Sequence, residues 1–142
     1  MTLRGNSGPV IKVVISPNWR DVVTVSEDGT AQVWDMNVGD CVMQLARDKP
    51  LTDLDVAPDG QLSVIACSDG NCCVWDLSSG EVRHVLRGHA GKVNAVAIDR
   101  QGIRCVTASD DGTVRVWSIY DGRCEQILEG HKGGGGENEI PH

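Results

Sequence analysis

Phenylalanine is absent from this 142-residue chain, tyrosine occurs once, and no apolar run approaches the roughly 18 residues that a membrane-spanning helix requires. A core built here must use Val, Ile, Leu, Ala, Cys and four tryptophans. β-branched residues and Trp favour strands, so the missing aromatics already lean towards an all-β chain. The opening Met1-Thr2-Leu3-Arg4-Gly5-Asn6-Ser7-Gly8-Pro9 has no apolar stretch of the kind a secretory signal carries. A cytoplasmic or nuclear location is therefore expected.

Basic residues are also scarce. Lys and Arg number 13 against 20 acids, the net charge is -7 and the pI is near 4.9. Phosphate backbones and anionic lipids are held by clustered Lys and Arg, so neither nucleic acid nor membrane is an expected partner. The six cysteines (41, 67, 72, 73, 105 and 124) form no C-x-x-C pair and mostly sit inside apolar runs. They read as reduced, small hydrophobes, although Cys67 and Cys72 stand where a hairpin would set them face to face. His84, His131 and His142 show no ligand spacing with Cys or Asp, so neither a metal nor a cofactor is expected.

One feature recurs. Trp34, Trp75 and Trp117 stand 41 and 42 residues apart, and each closes a run that begins Asp-Gly and ends Val-Trp. The runs are Asp28-Gly29-Thr30-Ala31-Gln32-Val33-Trp34, Asp69-Gly70-Asn71-Cys72-Cys73-Val74-Trp75 and Asp111-Gly112-Thr113-Val114-Arg115-Val116-Trp117. A fixed period of roughly 40 residues means one structural unit written three times. Each unit divides into four short runs rich in Val and Ile, separated by turn residues such as Pro58-Asp59-Gly60, Asp110-Asp111-Gly112 and Asp121-Gly122. In the third unit the predicted strands are 93–98, 104–109, 113–117 and 123–128. In the second they are 51–56, 62–67, 71–75 and 81–86, and in the first 10–15, 22–26, 30–34 and 41–45. Nothing shows a sustained helical period. The expectation is twelve strands in three four-stranded antiparallel sheets.

Repeats of this length with Gly-His, an Asp turn and Trp-Asp resemble the tryptophan–aspartate (WD) repeat family. Gly88-His89 lies at the family spacing, with His89 28 residues before Trp117. The Trp-Asp pair is present as Trp34-Asp35 and Trp75-Asp76 and becomes Trp117-Ser118. The resemblance covers nearly the whole chain and implies an all-β partial β-propeller of three blades, at residues 3–46, 47–87 and 88–129. Gly130-His131 then reads as the start of a truncated fourth repeat, followed by a flexible Gly-rich tail over 130–142.

In that family a His, a Ser or Thr, the turn Asp and the Trp form a hydrogen-bonded structural tetrad. Carried over by position, the third repeat supplies His89, Ser109, Asp111 and Trp117. The first supplies Ser26, Asp28 and Trp34, with Asn6 in place of His. The second supplies Asp69 and Trp75, with Cys67 at the hydroxyl position and Arg47 or Asp48 at that of the His. By this count the second blade is expected to be the least rigid and the third the most.

Family propellers close into rings of about four to eight blades. Three blades leave open faces of roughly 300 Å² each, given four strands of about five residues. A fragment of a longer product, a half-ring that pairs with another chain and an open arc capped by a partner are all compatible with that.

His89, Ser109 and Asp111 also have the residue types of a hydrolytic triad. Ser109 lies in Thr107-Ala108-Ser109-Asp110, without the G-x-S-x-G elbow that exposes a nucleophile, and the tetrad accounts for the same residues. Gly88-His89-Ala90-Gly91-Lys92-Val93 lacks the spacing and the following Ser or Thr of a phosphate loop. The resemblance therefore implies a non-catalytic scaffold that binds proteins, the alternative being a regulatory or sensor propeller attached to a larger, for example nucleotide-hydrolysing, protein. Some family members that serve ubiquitin ligases carry a basic residue two positions after Trp-Asp; here those positions are Asn37, Ser78 and Tyr120.

Partners in the family often contact residues just before the turn Asp and around the start of the first strand. These are Glu27, Ser68 and Asp110, and Thr52, Lys92 and Asn94. Glu27 and Asp110 modestly favour a protein or peptide segment carrying Lys or Arg. Self-association, or further blades to close the ring, is the other expected contact. Trp19, outside the repeat motif, reads either as a cover for the rim between strands or as an exposed interface anchor.

Overall fold

The computed structural model describes residues 8–129. Asn6, Gly130-His131 and the Gly-rich segment lie outside the described residues. Strands β1 (Val10–Ile15), β2 (Asp21–Ser26), β3 (Thr30–Asp35) and β4 (Cys41–Ala46) form the first sheet in chain order. The second is β5 (Leu51–Val56), β6 (Leu62–Cys67), β7 (Cys72–Asp76) and β8 (Val82–Leu86). The third is β9 (Val93–Ile98), β10 (Arg104–Ser109), β11 (Thr113–Ser118) and β12 (Cys124–Glu129). All pairings are antiparallel, and among the described residues there is no helix.

Irregularities repeat along with the motif. Each sheet shifts register beside its tryptophan, so that Trp34, Trp75 and Trp117 oppose Cys41, Val82 and Cys124. Each sheet also carries a bulge where its first strand begins to pair with the second. Such bulges twist a sheet, and the twist lets successive blades stack as an arc. The first strands form the inner side of that arc, β1 lying against β5 and β5 against β9.

Alternation assigns the faces. Val23, Val25, Ala31 and Val33 of the first sheet pack on Leu51, Leu54, Ile65 and Trp75 of the second. Val64, Ala66, Cys72, Val74 and Leu86 of the second then pack on Val93, Val96, Cys105 and Trp117 of the third. Each interface thus sets one sheet's Val-rich face against the Trp-bearing face of the next. Side chains reinforce the second junction: Val96 N and Ile98 N donate to Asp53 Oδ2 and Asp55 Oδ2 at 2.9 and 2.7 Å, capping the inner edge of β9. Lys12 reaches across from β1 to pair with Asp53 at 3.2 Å.

The six cysteines are free. Cys67 and Cys72 do not face each other: Cys72 pairs in register with Ala66, and the two thiols enter different cores on opposite faces of the sheet. Burial raises the thiol pKa values of Cys67, Cys72, Cys73 and Cys105, the last to about 12. All four are therefore protonated packing groups.

The third sheet repeats the Val-rich face with Val106, Ala108, Val114, Val116 and Leu128, but among the described residues no further sheet covers it. Val106 is 40% exposed, where its counterparts Val23 and Val64 are fully buried. The first sheet buries Trp34, 1% exposed, but leaves Val13, Ile15 and Val42 open at 54, 41 and 57%, so both ends of the arc carry exposed apolar area. This reorders the expected rigidity. The second sheet is packed on both faces, and a covered face of roughly 300 Å² contributes several kcal/mol at about 25 cal/mol/Å². That outweighs the hydrogen bonds it lacks, each about 0.5–1.5 kcal/mol.

Candidate protein-binding groove and the network behind it

The turn after each second strand is tied to the segment that enters the same sheet. Glu27 N donates to Pro9 O, Ser68 N to Pro50 O and Asp110 N to Lys92 O, at 3.1, 2.9 and 2.9 Å. These ties bring equivalent positions of three repeats to one end of the arc. Glu27, Thr52, Ser68, Lys92 and Asn94 line a single open groove of about 410 Å³, together with the apolar Ile11 and Leu51. Asp110 adjoins it through Asn94, whose Nδ2 donates to Asp110 Oδ1 at 2.6 Å. The Thr52 hydroxyl is spent on Val93 O, which leaves Glu27 and Lys92 as the exposed charges of opposite sign. Gly70 fixes the wall of this end: at φ 93°, an added Cβ would lie 2.7 Å from the carbonyl oxygen of His89.

Behind the groove lies the hydrogen-bonded set of the third sheet. Trp117 Nε1–H donates to Thr107 Oγ1 at 2.9 Å, Thr107 Oγ1 lies 2.6 Å from His89 Nε2, and His89 Nδ1 lies 3.1 Å from Asp111 Oδ2. A neutral His89 carrying its proton on Nδ1 satisfies every member: Thr107 O–H donates to Nε2, and Nδ1–H donates to the carboxylate. Asp111 also accepts from Thr113 Oγ1 at 2.6 Å and from Ala90 N at 3.0 Å.

The linking hydroxyl is therefore Thr107 and not Ser109. Cys105 opposes Trp117 across the ladder, so Thr107, two residues on, is the diagonal neighbour within reach of the indole. Ser109 is four residues on, about 13 Å at roughly 3.3 Å per residue. It instead donates to Gly91 O at 3.0 Å and accepts from Asp111 N at 3.1 Å, bracing the turn.

The first sheet repeats the correction. Trp34 Nε1 donates to Thr24 Oγ1 at 3.0 Å, whereas Ser26 accepts from Asp28 N at 3.3 Å. Asp28 in turn accepts from Thr30 N and Thr30 Oγ1. In the second sheet the equivalent residue is Ile65, not Cys67, and Trp75 Nε1 turns to Gly80 O at 3.2 Å. Cys67 directs its thiol to Pro50 O at 3.4 Å. Asp69 accepts from Asn71 N and Nδ2 within its own turn.

Two carboxylates are held well below the usual range. Burial pushes the Asp111 pKa up, but hydrogen bonds from Thr113, Ala90 and His89 more than reverse it. Asp76 is lowered by the Ser78 hydroxyl and by Arg83, whose Nε and Nη2 approach Oδ2 at 2.9 and 2.6 Å. A carboxylate with a depressed folded pKa contributes stability that is fully present above its unfolded pKa, about 3.9, and is lost as pH falls through the folded value. The melting temperature is thus expected to hold at neutral pH and fall steeply below about pH 4. Asp111→Asn should flatten that dependence in a pH series of thermal melts.

The repeat profile described as "WD domain, G-beta repeat" matches residues 1–35, 39–76 and 80–118, and the chain belongs to that family of β-propeller repeats. Among solved structures it is similar to "Structure of U3-55K", with a TM-score of 0.87 and 18% identity over 92% of this chain and 42% of that one. It is equally similar to "Crystal structure of RRP9 WD40 repeats", with a TM-score of 0.87 and 19% identity over 92% of this chain and 41% of that one. The chain thus spans about two-fifths of the length of the structures it matches. No curated protein sequence matches it.

Proposed function

We propose that this chain is a non-catalytic protein-interaction scaffold, and that its partner docks in the groove of Glu27, Thr52, Ser68, Lys92 and Asn94. The observation that carries the reading is convergence: positions scattered over more than sixty residues of sequence line one open groove. The set mixes exposed charge with an apolar floor, as binding surfaces do. Glu27 and Asp110 favour a basic residue in the partner segment, and Lys92 an acidic one beside it. The residues with triad chemistry support no competing catalytic reading, because His89 engages buried Thr107 while Ser109 binds the Gly91 carbonyl.

Glu27→Lys with Asp110→Lys is expected to abolish partner capture in a pull-down while leaving the thermal melt within a few degrees of native. Capture retained by a folded double variant would place the binding surface elsewhere.

A further inference from the structure

Trp19 has a positive φ, 60°, alone among the described non-glycine residues, and its side chain is thrust into solvent at 69% exposure. It sits in the turn between β1 and β2. The equivalent residues of the other two turns are Gly60, with φ 75°, and Gly102, with φ 72°. A left-handed backbone is free for glycine and unfavourable for any residue with a Cβ, most of all a bulky one.

The turn is set without help from the indole. Trp19 N donates to Ser16 O at 2.9 Å, the Ser16 hydroxyl to Asn18 Oδ1 at 2.5 Å, and Arg20 N to the same oxygen at 3.0 Å. The expected rim-covering role does not hold, since a side chain this exposed covers little.

A second observation points the same way. The exposed large hydrophobic residues found in turns are Trp19, Val38, Ile103 and Tyr120, and all four lie at the end of the arc opposite the groove. Trp, Tyr and Arg dominate the energetic centres of protein interfaces. Arg20, beside Trp19, is exposed and makes no ion pair among the described residues.

We propose that Trp19 and Arg20 anchor a second protein-binding surface, independent of the groove. The occupant is a folded protein with an apolar pocket that receives the indole and a carboxylate at its rim that meets Arg20. A knob on a tight turn requires a preformed pocket, which a flexible peptide does not supply. An unpaired guanidinium beside the indole selects an acidic rim.

A photo-crosslinking phenylalanine analogue at position 19 of the full-length protein, in its own cells, tests this. Crosslinked peptides should map to one partner protein, at an apolar pocket bearing Asp or Glu. Trp19→Gly should cut co-purification of that partner by about tenfold or more and melt at or above the native temperature, because glycine relieves the backbone. Arg20→Glu should weaken the contact, and Arg in place of the partner's acid should restore it. Glu27→Lys with Asp110→Lys should leave the crosslink intact. The proposal is overturned by the absence of a specific crosslink, by a crosslink to a second copy of this chain, by loss of the crosslink in the groove variant, or by a fall of about 5 °C or more in the Trp19→Gly melt.

Discussion

Purified alone, the 15.2 kDa chain is expected to self-associate and not to run as a monodisperse monomer. The reason is the apolar area left open at both ends of the arc, with Val13, Ile15 and Val42 exposed on the first sheet and Val106 on the third. Val106, Val114, Val116 and Leu128 repeat the pattern that is fully covered in the other two sheets, yet Val106 remains 40% exposed. Covering such a face contributes several kcal/mol by area, comparable with the whole stability of a small domain. A patch of this size on a monomer is an interface or an aggregation site. Light scattering behind a sizing column should therefore show higher mass, and Val106→Lys should shift the population towards monomer. A sharp native peak at the monomer mass with a cooperative melt would refute the expectation.

The second large effect concerns Thr107. Its hydroxyl is fully buried and shared between Trp117 and His89. Thr107→Val keeps the shape but leaves an indole N–H and a ring nitrogen without a partner, each at about 1–3 kcal/mol, so a loss of about 2–4 kcal/mol is expected. Ser109→Ala removes only the brace of a half-buried turn and should cost about 1 kcal/mol. Denaturant titration of both variants decides between them. Equal losses, or a larger loss for Ser109, would restore Ser109 to the network.

These two residues show where the sequence was legible and where it was not. Repeat period, strand boundaries and turn positions all follow from Asp-Gly, Val-Trp and alternating Val, because those signals are local. Which hydroxyl meets the tryptophan is set by cross-strand register. Thr107 and Ser109 share a face and a chemistry, and only the pairing of Cys105 with Trp117 brings one of them within reach. The same holds for Thr24 over Ser26.

Inter-sheet contacts such as Asp53 with Val96 N were likewise hidden, since a single acid in a strand looks solvated until the neighbouring edge is in place. The groove residues emerged from the family resemblance. Their apolar neighbours Ile11 and Leu51 read only as strand residues, and it took the fold to set them between turns. Trp19 carried a usable signal: it stands where the next repeat has Pro58-Asp59-Gly60, and a tryptophan in a glycine's place is strained or functional.

The docking claim is tested most directly by amide hydrogen exchange on the chain with and without its captured partner. Protection is predicted in residues 26–29, 47–52, 67–70 and 91–94, the segments that meet at the groove. Protection confined to β10–β12 of the third sheet, with those four segments unchanged, would contradict it.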